Sequence, residues 1–172
     1  MKTAKDIAFT GMYVALLIGS QFILSFVSGI EIVTILFSVF CFKYGLKKGL
    51  ILAIAFSLIR CFIFGFILDV VILYIVYYPL LCLVFSFLGK TLKEKHSFKN
   101  LIIVTAVAVV MTIMFTMLSN VITPLIGGYS QKAWQIYFTA SLPVMAVQCA
   151  SVAVTFVVLF YPVQKLLNLI KA

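Results

Sequence analysis

The stretch VTILFSVFCFKYGLKKGLILAIAFS, Val33–Ser57, decides the fold, because two apolar runs meet there at Lys43, Lys47 and Lys48. Lysines have no place in the middle of a hydrocarbon layer, so the chain must turn around Tyr44 to Lys48. The flanking runs then form a helical hairpin. The same punctuation recurs in both directions. Lys2 and Lys5 open the chain, Lys90, Lys93, Lys95 and Lys99 form a third group, and Lys165 and Lys171 close it. Between successive groups lie apolar stretches of roughly 37 to 65 residues, each long enough for two helices at about 20 residues per crossing. Breaks on the far side are expected at Ser28-Gly29, at Gly65 to Asp69 and at Pro124 to Gln135. These features predict an all-α, integral membrane six-helix bundle, one transmembrane domain over 1–172. Its spans lie near 7–27, 30–46, 49–66, 70–88, 100–122 and 137–164. Pro79 should kink the fourth span, Gly89 should end it, and Pro143 and Pro162 fall in the sixth.

Composition agrees. Of the 172 residues 65% are hydrophobic and 10% charged, with a mean hydropathy of +1.28. A soluble domain carries about a quarter charged residues, so most of this surface faces lipid. The first apolar run, from Ile7, is too long for a signal-peptide core and reads as a retained helix. Cys41, Cys61, Cys82 and Cys149 sit inside apolar runs at spacings that match no metal or redox pattern. The net charge of +9 is a topology signal, not a nucleic-acid patch. Eleven of the 13 basic residues fall at the lysine ends, leaving Lys132 in a far-side loop and Arg60 inside a span. The positive-inside rule puts both termini in the cytoplasm.

Ionisable residues at membrane depth mark function by default, and Glu31 and Arg60 lead. They straddle the Tyr44–Lys48 turn symmetrically, which puts them level on adjacent antiparallel helices, roughly 18 Å above the lysines at 1.5 Å per residue. Two roles stay open: a structural ion pair, or contact with a polar ligand, for which Arg60 suits a carboxylate or phosphate. Other polar and aromatic groups gather at the same level. Tyr74, Tyr77 and Tyr78 share a helix face. Asn120, Trp134 and Gln148 lie nearby in depth, with Tyr129, Gln131, Gln135 and Tyr137 in the last far-side loop. An interfacial aromatic belt explains such residues equally well. The lysine side has no comparable gathering, and that asymmetry favours a binding site. Its expected members are Glu31, Arg60, Tyr74, Tyr78, Asn120, Trp134 and Gln148. On the first helix Gly11, Ala15 and Gly19 recur every fourth residue, a flat stripe for close approach of another helix, in this chain or in a partner.

His96, the sole histidine, lies among the lysines, so histidine-based catalysis or metal binding in the bundle is not expected. The sequence lacks a GxxxxGK[ST] motif and any acidic relay for protons or sodium. The expectation is a protein that is not an enzyme, uses no cofactor or metal, and draws any transport energy from elsewhere.

Six short helices, cytoplasmic termini, the stripe on helix one and a far-side aromatic-polar site together resemble the substrate-binding S components of energy-coupling factor (ECF) transporters. Gly29 to Phe37, running on through Phe42-Lys-Tyr-Gly-Leu-Lys-Lys-Gly49, is similar to that family's second span and basic turn; Ser57 to Gly65 is similar to its third. The resemblance covers nearly the whole chain through loose motifs. It implies a binder of a vitamin or vitamin precursor in a bacterial cell membrane. Such a binder is energised by a transmembrane scaffold subunit and two ATPase subunits, and topples to release its cargo inward. Gly11, Ala15 and Gly19 stand where the family's AxxxA-type docking motif falls, with glycines in place of two alanines. MreD-like cell-shape scaffolds and self-sufficient small-solute carriers are the alternatives from other classes.

Overall fold

The computed structural model describes residues 4–24, 32–92 and 97–171, with side chains as far as 169. They form five helices: α1 (Ala4–Leu24), α2 (Ile32–Phe64), α3 (Leu68–Leu92), α4 (Phe98–Ile126) and α5 (Gln131–Lys171). Four of them, α1, α3, α4 and α5, are long and apolar enough to cross a membrane. Their outer faces, and that of α2, present large apolar side chains such as Phe62, Phe87, Ile102 and Ile136, as lipid-facing helices should.

Five elements stand where six were expected because the second and third spans are joined in α2. The element is two helices on either side of a kink at Gly45, which alone leaves helical geometry, at φ 76° and ψ −177°. That region is essentially reserved for glycine. The chain folds back there: Phe37 and Phe56 both pack on the ring of Tyr78, at 4.9 and 4.8 Å between centroids. A straight helix would hold them roughly 28 Å apart at 1.5 Å per residue. The arm before Gly45 is also the more buried, with Ile35, Phe37, Val39, Phe40 and Cys41 fully enclosed.

Helices α2 to α5 form a ring, each against the next, with α5 returning to α2 and α1 lying against α2. The lysine-bearing ends share one end of the bundle. Lys48 pairs with Asp6 of α1 at 2.7 Å, and the Tyr44 hydroxyl donates to the Leu167 carbonyl of α5. Tyr161 holds the Ser97 backbone at the start of α4, accepting from its N–H and donating to its carbonyl. Gly89 does not end its helix. α3 continues to Leu92, and the glycine lets the Phe42 carbonyl of α2 lie where a Cβ would be.

The last break is also shorter than expected. α4 runs through Pro124 to Ile126, and only four residues separate it from α5, whose first turn is capped by the Ser130 hydroxyl and carbonyl. α5 then runs 41 residues, about 60 Å at 1.5 Å per residue and about twice a bilayer's hydrocarbon thickness. Its second half buries Val152, Phe156, Phe160, Gln164 and Leu167 along one stripe, whereas its first half has no fully buried residue.

Gly89→Ala is therefore expected to destabilise the fold by roughly 1–3 kcal/mol, the usual range for overpacking. Gly11→Ala, where an added methyl meets nothing within 4 Å, should be neutral or stabilising by up to about 1 kcal/mol. Thermal denaturation of both variants in detergent checks the contrast.

Candidate functional site

At the end of the bundle opposite the Lys43–Lys48 turn, polar side chains line the seam between α4 and α5. In α4, Thr112, Thr116 and Asn120 recur every fourth residue and are all buried, so one stripe faces α5. Asn120 is 2% exposed. Its Nδ2 donates to Ser141 Oγ at 2.7 Å, and that hydroxyl donates to the Phe138 carbonyl. One turn away, the Thr116 hydroxyl lies 3.4 Å from Gln148 Oε1 and 3.3 Å from the Thr112 carbonyl.

Pro124 explains how the seam is closed at its tip. A proline has no N–H to give the carbonyl four residues before it, which here belongs to Asn120. The Trp134 indole supplies the missing donor: Nε1–H bonds the Asn120 carbonyl at 2.9 Å. Neighbouring helices commonly satisfy carbonyls freed by proline in this way. The expected far-side loop is thus mostly helix, and Trp134 is tied down by its polar edge.

Between these contacts lies a cavity of about 310 Å³, lined by Phe115, Thr116, Ser119, Asn120, Tyr137, Ala140, Ser141, Val144 and Gln148. A second cluster stands beside it. The Arg60 guanidinium carbon lies 4.1 Å from the centroid of the Tyr74 ring and 5.2 Å from that of Phe64. Stacking of this kind contributes about 0.5–2 kcal/mol according to desolvation. Arg60 Nε is buried and has no hydrogen-bond partner among the described residues. The Tyr74 hydroxyl accepts from Gln21 Nε2 at 2.9 Å. Phe115 joins the two regions, lining the cavity while packing against Tyr74 and Tyr77 at 6.1 and 4.8 Å.

Of the seven residues expected to form a site, the structure brings Asn120 and Gln148 together in the cavity wall, with Trp134 bonded to Asn120. Arg60, Tyr74 and Tyr78 form the neighbouring cluster and do not line the cavity. Glu31 lies outside the described residues; among those described, the ion pair is Asp6–Lys48. The three tyrosines of α3 are 2–8% exposed, so they belong to the core and not to an interfacial belt. Tyr78 is enclosed by Phe37, Phe56, Tyr74 and Tyr77. Sequence reasoning missed Phe115, Thr116, Ser119 and Ser141. The signal for them was the spacing Thr112, Thr116, Asn120 on one helix facing Ser141 and Gln148, two turns apart, on the other.

On α1, Gly11, Ala15 and Gly19 are exposed. A methyl added at Gly11 or Gly19 meets nothing within 4 Å, and Ala15 and Gly19 line an apolar groove of about 420 Å³ with Val14, Ile18, Phe22, Ile59 and Ile63. The stripe is not taken up by packing among the described residues. Compared with known protein families, characterised proteins and solved structures, the chain gives no match.

The Trp134–Asn120 bond can be weighed directly. Trp134→Phe should cost about 1 kcal/mol, the usual net contribution of one hydrogen bond. Pro124→Ala restores an N–H to the same carbonyl, so the Trp134→Phe cost should shrink by half or more in that background. Melting temperatures of the four proteins in the cycle check it.

Proposed function

We propose that this chain is the membrane-embedded, high-affinity substrate-binding subunit of an ECF-type uptake system, taking up a vitamin or vitamin-precursor small molecule. The observation that carries the reading is the cavity between α4 and α5, with Asn120 and Gln148 in its wall, at the end of the bundle away from the Lys43–Lys48 turn. Counting each arm of α2 as a crossing gives six spans. The shared lysine end then lies in the cytoplasm by the positive-inside rule, and the cavity opens toward the outside of a bacterial cell membrane. Substrate enters there, with Asn120 and Gln148 orienting it, Trp134 tied to the wall, and Arg60 and Tyr74 in the neighbouring cluster. The open α1 face at Gly11, Ala15 and Gly19 supports docking onto a transmembrane scaffold subunit. Two ATPase subunits bound to that scaffold supply the energy, in keeping with the missing nucleotide motif.

Purified protein examined by native mass spectrometry should carry a co-purifying small molecule. In liposomes it should bind that molecule without accumulating it, and concentrative uptake by the lone chain would defeat the reading in favour of a self-sufficient carrier. Ala15→Leu should weaken capture of the scaffold–ATPase module at least tenfold while leaving the melting temperature and small-molecule binding unchanged. For orientation, Ser97→Cys should react with an impermeant thiol reagent only from the cytoplasmic side, and Ser130→Cys only from outside. The reverse pattern would invert the topology.

A further inference from the structure

The hydrogen bonds already made inside the cavity leave a specific remainder. Ser141 donates its one hydrogen to the Phe138 carbonyl, so it can only accept from Asn120. Asn120 therefore turns its NH2 to Ser141 and keeps its acceptor, Oδ1, unused among the described residues. The Thr116 hydroxyl has one hydrogen, within reach of both the Thr112 carbonyl at 3.3 Å and Gln148 Oε1 at 3.4 Å; given to Gln148, it leaves that residue's Nε2 as an unused donor. Ser119 Oγ and the Tyr137 hydroxyl, also in the wall, have no hydrogen bond among the described residues. An acceptor thus stands near the tip of the seam and a donor one to two helical turns deeper, roughly 6–10 Å along the axis.

Charge narrows the ligand further. The nine lining residues include no lysine, arginine, aspartate or glutamate. Arg60, the nearby cation that suits a carboxylate, has its guanidinium over two rings, with Phe115 between that cluster and the cavity. A carboxylate or ammonium entering the cavity would give up part of its water and find no counter-charge in the wall, which disfavours binding. About 310 Å³ equals roughly ten water volumes at about 30 Å³ each, enough for a one- or two-ring molecule against Phe115.

We infer that the cavity selects an uncharged, ring-bearing molecule with a hydrogen-bond donor at one end, received by Asn120 Oδ1, and a carbonyl-type acceptor at the other, held by Gln148 Nε2. The inference rests on the substrate-binding reading above and specifies the class of ligand that reading leaves open.

The test uses an isosteric pair of probes, 4-hydroxybenzamide and 4-hydroxybenzoate, titrated at pH 7 against the whole chain in nanodiscs by ligand-observed NMR and calorimetry. The amide has a donor and a carbonyl at opposite ends of one ring; the acid differs by a charge. The amide should bind at least tenfold more tightly. Gln148→Met, at a half-buried position, should weaken the amide at least tenfold while the protein still melts cooperatively, and Asn120→Ala should do the same. Equal or tighter binding of the benzoate, or amide binding untouched by Gln148→Met, would overturn the inference. So would failure of both probes to bind. In that last case the uptake reading stands or falls separately, on the co-purifying molecule and on capture of the ATPase module.

Discussion

A chain that faces lipid on most sides must satisfy its backbone within itself, so it can reverse direction only where the turn is covered or wetted. Gly45 meets that constraint by changing direction in a single residue, in a backbone region that other residues avoid. The fold follows from that compact reversal. It returns the second arm of α2 alongside the first and offers both arms to α3, where Tyr78 wedges between Phe37 and Phe56. α3 can approach closely because Gly89 sits against the Phe42 carbonyl. The turn itself is held by α1 through Asp6 and by α5 through Leu167. The ion pair is partly exposed and contributes at most about 1 kcal/mol; the aromatic packing beneath it stabilises the hairpin more.

The α4–α5 seam solves a different problem. Polar groups buried away from water are costly unless paired, and here they pair across two helices in a short series: Thr116 with Gln148, Asn120 with Ser141, and the Asn120 carbonyl with Trp134. Pro124 makes the last of these necessary by withdrawing the backbone donor. The first half of α5 buries little apolar surface, so its position depends on these directional bonds. The second half, anchored by Phe156 and Phe160 against Phe85 and Phe42, depends on packing. One helix thus has an apolar anchor at one end and a polar latch at the other.

Much of this was legible in the residues. Helical class, membrane character and the reversal near Tyr44–Lys48 follow from lysines spaced through apolar runs, a pattern strong enough to survive any local detail. Helix ends were harder. Pro124 and Gly89 are stop signals in isolation, yet both helices continue because tertiary contacts outweigh local preference: an indole donor in one case, close backbone approach in the other. Depth arguments named Asn120, Trp134 and Gln148, which the structure holds near one another, together with Tyr78, whose ring packs in the core. Depth along the membrane normal is one coordinate. Which way a side chain turns about its helix is a second, and reading Thr112, Thr116 and Asn120 as a stripe would have supplied it. The pairing of Glu31 with Arg60 lies outside the described residues.

The tie between Trp134 and the Asn120 carbonyl also gives the molecule a built-in optical reporter. Trp134 is the sole tryptophan among 172 residues, so all indole emission comes from one ring. That ring is bonded to the backbone of a residue in the cavity wall. Its emission wavelength tracks the wetting of a single location, and quenching by a soluble agent measures access to that location alone. The carbonyl left free by a proline thereby ties the chain's one indole to the wall of the α4–α5 cavity, where light can follow it without any added label.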